Sequence, residues 1–90
     1  MVKQVAVCFN VIDGDTFDTE RNVRIRLARV KASPIETTEG QIAKRLLESL
    51  ILNKAITYEV VATDVYGRSV AEVRVNSNNI NDIMISHGYK

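Results

Sequence analysis

The acidic turn Asp13-Gly14-Asp15-Thr16 sets two carboxylates close together, and five basic side chains follow between Arg21 and Lys31 with no acid among them. A further arginine stands in Tyr66-Gly67-Arg68. Carboxylate oxygens are the ligands a hard cation takes, and a guanidinium grips phosphate through paired N–H donors. Together these residue types make a site for a phosphodiester. Asp15 and Asp13 are the candidate metal ligands. Arg24, Arg26, Arg29, Lys31 and Arg68 are the candidate cations for a nucleic-acid backbone. Tyr66, at a turn beside Arg68, is the candidate for stacking on a base, with Tyr58 as the other tyrosine considered.

The elements that must position these residues are legible from periodicity. Val2 to Ile12 is β-rich and ends at the Asp13-Gly14 turn. Asp15 to Glu20 reads as a second strand, joined through Glu20-Arg21-Asn22 to a third. In the third, Val23, Ile25 and Leu27 share one face while Arg24 and Arg26 share the other. The phase changes after Leu27, which predicts a bulge or bend near Ala28 before Pro34 ends the strand. Thr38 to Asn53 predicts a helix, with Thr38 and Gln41 as a capping box and a broad apolar stripe of Ile42, Leu46 and Leu50 joined by Ala43, Leu47 and Ile51. Ala55–Asp64 and the stretch around Val70, Val73 and Val75 return to strand. Asn76–Asn79 reads as a polar turn, and Ile80–His87 as a short helix stopped by Gly88. The fold class is mainly β with α: a five-stranded OB-fold barrel, one main helix between strands 3 and 4, and a short C-terminal helix.

Ninety residues make one domain, residues 1–90, and a chain this short hides only about 60–65% of its unfolded surface. The net charge of +1 identifies no partner by itself; the local clustering of charge carries the information. The single cysteine, Cys8, excludes an internal disulfide and reads as a small buried hydrophobe. His87, near a helix end, reads as a cap. No segment has the length of a membrane span, and the N-terminal stretch does not read as a signal peptide. The expectation is a cytoplasmic protein if the chain is complete.

In order along the chain, Val11-Ile12-Asp13-Gly14-Asp15-Thr16, Arg26-Leu27, Pro34, Gly40-Gln41, Asp64-Val65-Tyr66-Gly67-Arg68, Asn81 and Gly88-Tyr89 resemble the staphylococcal nuclease (thermonuclease) domain family. The resemblance spans nearly the whole chain. It implies an OB barrel that cleaves DNA and RNA phosphodiesters with calcium. It implies further that Asp15 is a calcium ligand, that Arg26 contacts the phosphate under attack, and that Arg68 stabilises the charged transition state. The physical logic stands apart from the family: charge builds on phosphoryl oxygens, and positioned guanidiniums and a cation neutralise it.

The family pattern continues, several residues after the first arginine, with Asp-Thr/Ala-Pro-Glu, which supplies a second metal aspartate and a glutamate that handles water. This chain has Lys31-Ala32-Ser33-Pro34-Ile35-Glu36. Counting from Arg26 puts Lys31 and Pro34 at the two acidic positions; aligning the proline puts Ala32 and Ile35 there. Either way both carboxylates are lost. The leading expectation is a domain that binds nucleic acid, single strands preferred, with calcium-dependent hydrolysis impaired or absent and calcium held weakly if at all. In one version the Lys31 ammonium takes the metal's place and pairs with Asp15. The first alternative is an active divergent phosphodiesterase that rebuilds its metal site from Asp15, Glu36 and Asp13 or Asp64, with Glu36 joining Arg26 and Arg68 as a catalytic group. The second alternative is a protein-interaction barrel. Apolar Ile80, Ile83, Met84 and Ile85 near the C-terminus would then favour a homodimer or contact with a parent protein.

Overall fold

The computed structural model describes residues 3–90. Val2, assigned to the first strand from sequence, lies outside the described residues. The order is β1 (Gln4–Asp13), β2 (Thr16–Thr19), β3 (Arg24–Leu27), α1 (Thr38–Ile51), β4 (Ala55–Thr63), β5 (Ser69–Val75), β6 (Asn78–Asn79) and α2 (Ile80–Ser86). The sheet runs β3-β2-β1-β4-β5-β6, and an added parallel pairing of β3 with β5 closes five strands into a mixed barrel. This is the expected OB-like barrel with two helices. The sixth strand is a two-residue pairing on β5, where the sequence reads as a turn.

The barrel closes because each strand presents an apolar face. Cys8, Val11, Phe17, Ile25, Leu27, Ile56, Ala71 and Val73 fill the interior, and Phe17 is its largest side chain. Burying a side chain of that size stabilises by about 2–3 kcal/mol. Burial pushes the Cys8 thiol up to about 11, so it stays protonated and packs as a hydrophobe. Tyr58 is buried as well, and its hydroxyl donates to Gln4 Oε1 at 3.3 Å. It covers the barrel and offers no stacking face.

Two departures from the periodic reading concern the main helix. The cap is Thr37, one residue earlier than expected: its Oγ1 accepts from the Gly40 N–H at 2.9 Å and donates to the Pro34 carbonyl at 2.7 Å. The buried stripe is Gly40, Ala43, Leu47 and Ile51, with Leu46 and Leu50 at its margin and Ile42 47% exposed. The reason is close approach. A Cβ on Gly40 would stand 1.9 Å from the Pro34 oxygen, and one on Gly14 would stand 2.5 Å from Ala43 Cβ. The helix lies so near the barrel that small residues must face it, and the larger apolar residues flank that line.

The third strand stops sooner than its composition suggests. After Leu27 the chain turns, and Arg29 takes a left-handed φ of 66°. That conformation costs a non-glycine residue about 1–2 kcal/mol. It lets Ala28 and Val30 both face the core, which explains the change of phase. Arg29 is held there by Glu72, at 2.9 and 2.7 Å, and by Asp82 at 3.0 Å.

Asn81 locks α2 to this corner. Fully buried, it accepts from the Val73 N–H and donates to the Ala28 and Ala71 carbonyls, each at 2.9 Å. Ile80 and Met84 enter the core, while Ile83 and Ile85 pack partly buried against it. The apolar residues near the C-terminus therefore pack wholly or partly against the domain's own core. Among the described residues, no helix is long and apolar enough to cross a membrane.

Candidate functional site

Asp13-Gly14 turns the chain between β1 and β2, and the Asp13 Oδ1 accepts from the Asp15 N–H at 3.0 Å. This local turn directs Asp15 and Thr16 toward β3, where Thr16 pairs opposite Arg26. The parallel closure sets Arg26 opposite Val70, so Arg68 arrives at the same end of the sheet from β5.

Side chains complete the cluster. Arg26 Nη2 lies 3.6 Å from Asp15 Oδ2, and Arg26 Nη1 donates to the Leu27 carbonyl at 3.0 Å. Thr16 Oγ1 donates to Asp15 Oδ1 at 2.9 Å and accepts from Arg68 Nη1 at 3.3 Å. Both guanidiniums thus end on the Asp15-Thr16 dipeptide. Each arginine side chain is about three-quarters buried, with relative exposures of 25% for Arg26 and 24% for Arg68. Partial desolvation strengthens their pull on an anion while leaving an accessible face.

Arg68 is aimed by Asp64. The Asp64 Oδ1 accepts from the Tyr66 and Arg68 N–H groups, each at 2.9 Å, and Oδ2 accepts from Arg68 Nε at 2.6 Å. Burial opposes the Asp64 charge, but these hydrogen bonds outweigh it and hold its carboxyl below the ordinary value. Gly67, at φ 80°, permits the turn. The Arg68 guanidinium sits 5.3 Å from the Tyr66 ring centroid, and Tyr66 is 81% exposed.

The acidic half is poorer. Asp15 Oδ2 also accepts from the Ala32 N–H at 3.3 Å. The backbone that reaches Asp15 is therefore Ala32, the position to which the proline alignment assigns the aspartate, and it contributes a donor. The Lys31 side chain is exposed and forms no ion pair among the described residues, so the pairing of Lys31 with Asp15 does not occur. Arg26 takes that role. Glu36 is exposed in the turn before α1 and makes no hydrogen bond or ion pair to the cluster. Asp64 is engaged with its own turn and with Arg68. Asp13 and Asp15 are the carboxylates left to face a cation; burial, then the neighbouring Asp15, pushes the Asp13 carboxyl above its ordinary value. No group of three or more His, Cys, Asp or Glu side chains suited to a metal occurs among the described residues.

Of the other arginines, Arg24 is gripped by Asp18 through Nε at 2.9 Å and Nη2 at 3.1 Å. Arg29 is engaged by Glu72 and Asp82 and clamps α2, so it is no free phosphate cation. Residues that sequence reasoning passed over include Thr16, the Ala32 N–H and Asp64 in its role as brace. An aspartate four residues before an arginine across a glycine turn was a usable signal for Asp64. The Thr16 bridge follows only once the β2–β3 register and the β3–β5 closure are known.

A small mixed barrel with two arginines gathered on an acidic turn defines a nuclease-type domain. The model of the family described as staphylococcal nuclease homologue matches residues 23–90, and the chain belongs to that family. The matched span takes in Arg26 and Arg68 and begins after the Asp13–Thr16 turn. The chain is also 32% identical over 82 residues to proteins named "Uncharacterized endonuclease" in Escherichia coli O157:H7 and in Escherichia coli, across 87% of this chain and 54% of each relative. A third relative, "Protein ParB" of Escherichia coli, is 29% identical over 90 residues, covering 87% of this chain and 51% of that protein. The chain spans about half the length of the curated relatives it matches.

Proposed function

We propose that this domain binds nucleic-acid phosphodiesters, preferring single strands, through Arg26 and Arg68, and that its calcium-dependent hydrolysis is impaired or absent. The observation that carries the reading is the attachment of both guanidiniums to the Asp15-Thr16 dipeptide, which supports their sharing one phosphate. Exposed Tyr66 supports the preference for single strands, whose bases are free to stack.

The donor set does not fit calcium well. Calcium takes roughly six to eight oxygens, and two carboxylates already accepting protein hydrogen bonds supply too few. The position facing Asp15 gives an N–H where a cation needs an acceptor. Arg26 neutralises Asp15 in place of a metal. A phosphate still meets two cations there, while Glu36, the expected water-handling carboxylate of the alternative reading, stands apart from the cluster in the turn before α1.

Binding of a labelled single-stranded oligonucleotide tests the reading. With one phosphate engaged, the logarithm of affinity should fall with log salt at a slope of about −0.7. Arg26→Ala and Arg68→Ala should each abolish most binding, and calcium should neither strengthen it nor produce cleavage. Affinity indifferent to salt and to both substitutions would refute the proposal. The endonuclease name of two relatives favours the second reading, an active divergent phosphodiesterase using Asp15, Glu36 and Asp13 or Asp64. Calcium- or magnesium-dependent cleavage that is lost in Asp15→Ala and Arg68→Ala would establish it.

A further inference from the structure

The outer face of the β2–β3 hairpin carries two polar cross-strand pairs in succession. Thr16 stands opposite Arg26, and Asp18 stands opposite Arg24, with buried Phe17 and Ile25 between them on the other face. Two residues along a strand is about 7 Å. A concavity of about 380 Å³ therefore opens a short step from the Arg26–Arg68 cluster, lined by Phe9, Asp18, Asn22 and Arg24. Its placement makes it the natural neighbour of a phosphate held at that cluster.

The composition of this concavity points to a flat, polar-edged ligand. Phe9 is 53% exposed, an unusual state for an aromatic ring in a small barrel. The β1–β2 register shifts between Cys8 and Asn10, so Phe9 and Asn10 both face outward while Cys8 and Val11 both remain buried. Without the irregularity, strict alternation from buried Cys8 would turn Asn10 inward and send Val11 outward. The bulge keeps Val11 in the core and leaves Phe9 at the surface beside the Asp18–Arg24 pair.

The arginine here differs from those at the phosphate cluster. Asp18 fills two of the Arg24 donor sites in a fork, which cancels its charge and holds the guanidinium plane still. A phosphate gains little from such a pair. A nucleobase gains more: it meets a ring to stack on, a fixed planar guanidinium, one unfilled Nη1, carboxylate lone pairs, and the amide of Asn22. Asn22 is fixed in the left-handed conformation, φ 63°, at the hairpin tip.

We propose that Phe9, Asp18, Asn22 and Arg24 form a base-binding subsite for the nucleotide adjoining the phosphate held by Arg26 and Arg68. The subsite rests on the phosphodiester reading above, and its test is arranged to separate the two.

The test compares a short single-stranded oligonucleotide with an abasic oligomer of the same length and charge. The wild-type protein should prefer the base-bearing strand. Phe9→Ala should erase that preference, with a loss of about five- to thirty-fold on the base-bearing strand, as expected for one stacked base, and little change on the abasic one. Phe9→Tyr should restore it, which shows that the ring and not the fold is responsible. If Phe9→Ala keeps the full preference while Arg26→Ala abolishes binding to both oligomers, the subsite is refuted and the phosphodiester reading stands. If the wild-type protein binds neither oligomer, both fall. If Phe9→Ala instead converts a dimer to a monomer in solution, Phe9 is a contact between copies and the subsite is likewise refuted.

Discussion

Thr16 Oγ1 accepts from the Arg68 guanidinium at 3.3 Å while donating to Asp15 at 2.9 Å, so one hydroxyl joins the arginine of β5 to the acidic turn of β2. The distance to Arg68 is long for a strong hydrogen bond, and Asp64 carries most of the alignment at 2.6 Å. Thr16 adds a second contact, on Nη1, to the one that Asp64 makes on Nε.

Replacing Thr16 by valine keeps the shape of this buried residue and removes the hydroxyl. Oligonucleotide affinity should fall by roughly two- to tenfold, the worth of one ordinary hydrogen bond. The melting temperature should move little, because Arg68 keeps Asp64 and can reach water. A fluorescence anisotropy titration alongside a thermal melt reads both.

Ala32 lies where a second carboxylate would face Asp15, and its Cβ would stand 2.7 Å from a Cβ placed on Gly14. Millimolar calcium should shift the wild-type melting temperature by less than about 1 °C, since a ligand stabilises only what it binds. Ala32→Asp should lower stability in chelator through like-charge repulsion. It should recover in calcium, by about 1.4 kcal/mol at tenfold excess over Kd. Thermal melts with calcium and with chelator make the comparison, and equal melts in both media would show that one carboxylate is not enough.

Asn81 satisfies three backbone groups from within the core. Asn81→Ala should cost about 3 kcal/mol, because the Val73 N–H and the Ala28 carbonyl are left buried without partners. The melting temperature should drop by roughly 10–20 °C for a domain this size. Urea denaturation should give the same loss with an unchanged m-value.

The Arg29–Glu72–Asp82 group offers a test by pH. Hydrogen bonds from Arg29 hold the Glu72 carboxyl below its ordinary value of 4.5, against partial burial and with help from Asn79. A depressed carboxyl stabilises the fold above its unfolded value and loses that contribution as pH falls through its folded value. Glu72→Gln should therefore be less stable than wild type at pH 7, by about 1 kcal/mol given the half-exposed Arg29. The gap should close progressively as the pH is taken below 4.5. Urea midpoints at a series of pH values would show it, and a gap constant into acid would contradict the assignment.

Local patterns wrote much of this molecule in advance. The alternation of Val23, Ile25 and Leu27 against Arg24 and Arg26 placed β3 and its two faces correctly. Asn53 and Gly88 stand in left-handed conformations just past the two helices, as terminators should. The phase change at Ala28 announced a bend. The helix stripe contained the buried Ala43, Leu47 and Ile51, but its leading row of Ile42, Leu46 and Leu50 lies at the margin, because periodicity weighs hydrophobicity while the close approach at Gly14 and Gly40 rewards small residues on the line of contact.

The order of strands and helices, the apolar faces and the residue types of the site were determined by the chain itself, because each depends on neighbours within one turn or one hairpin. The partners of the charged groups were decided by the closure of β3 on β5. Five basic residues close together in sequence looked alike. In the barrel Arg24 met Asp18, Arg29 met Glu72 and Asp82, Lys31 stayed in solvent, and Arg26 alone among them joined Arg68 on the acidic turn. A guanidinium's role follows from which carboxylate or hydroxyl lies within about 3 Å of it, and that distance exists only after the strands have paired.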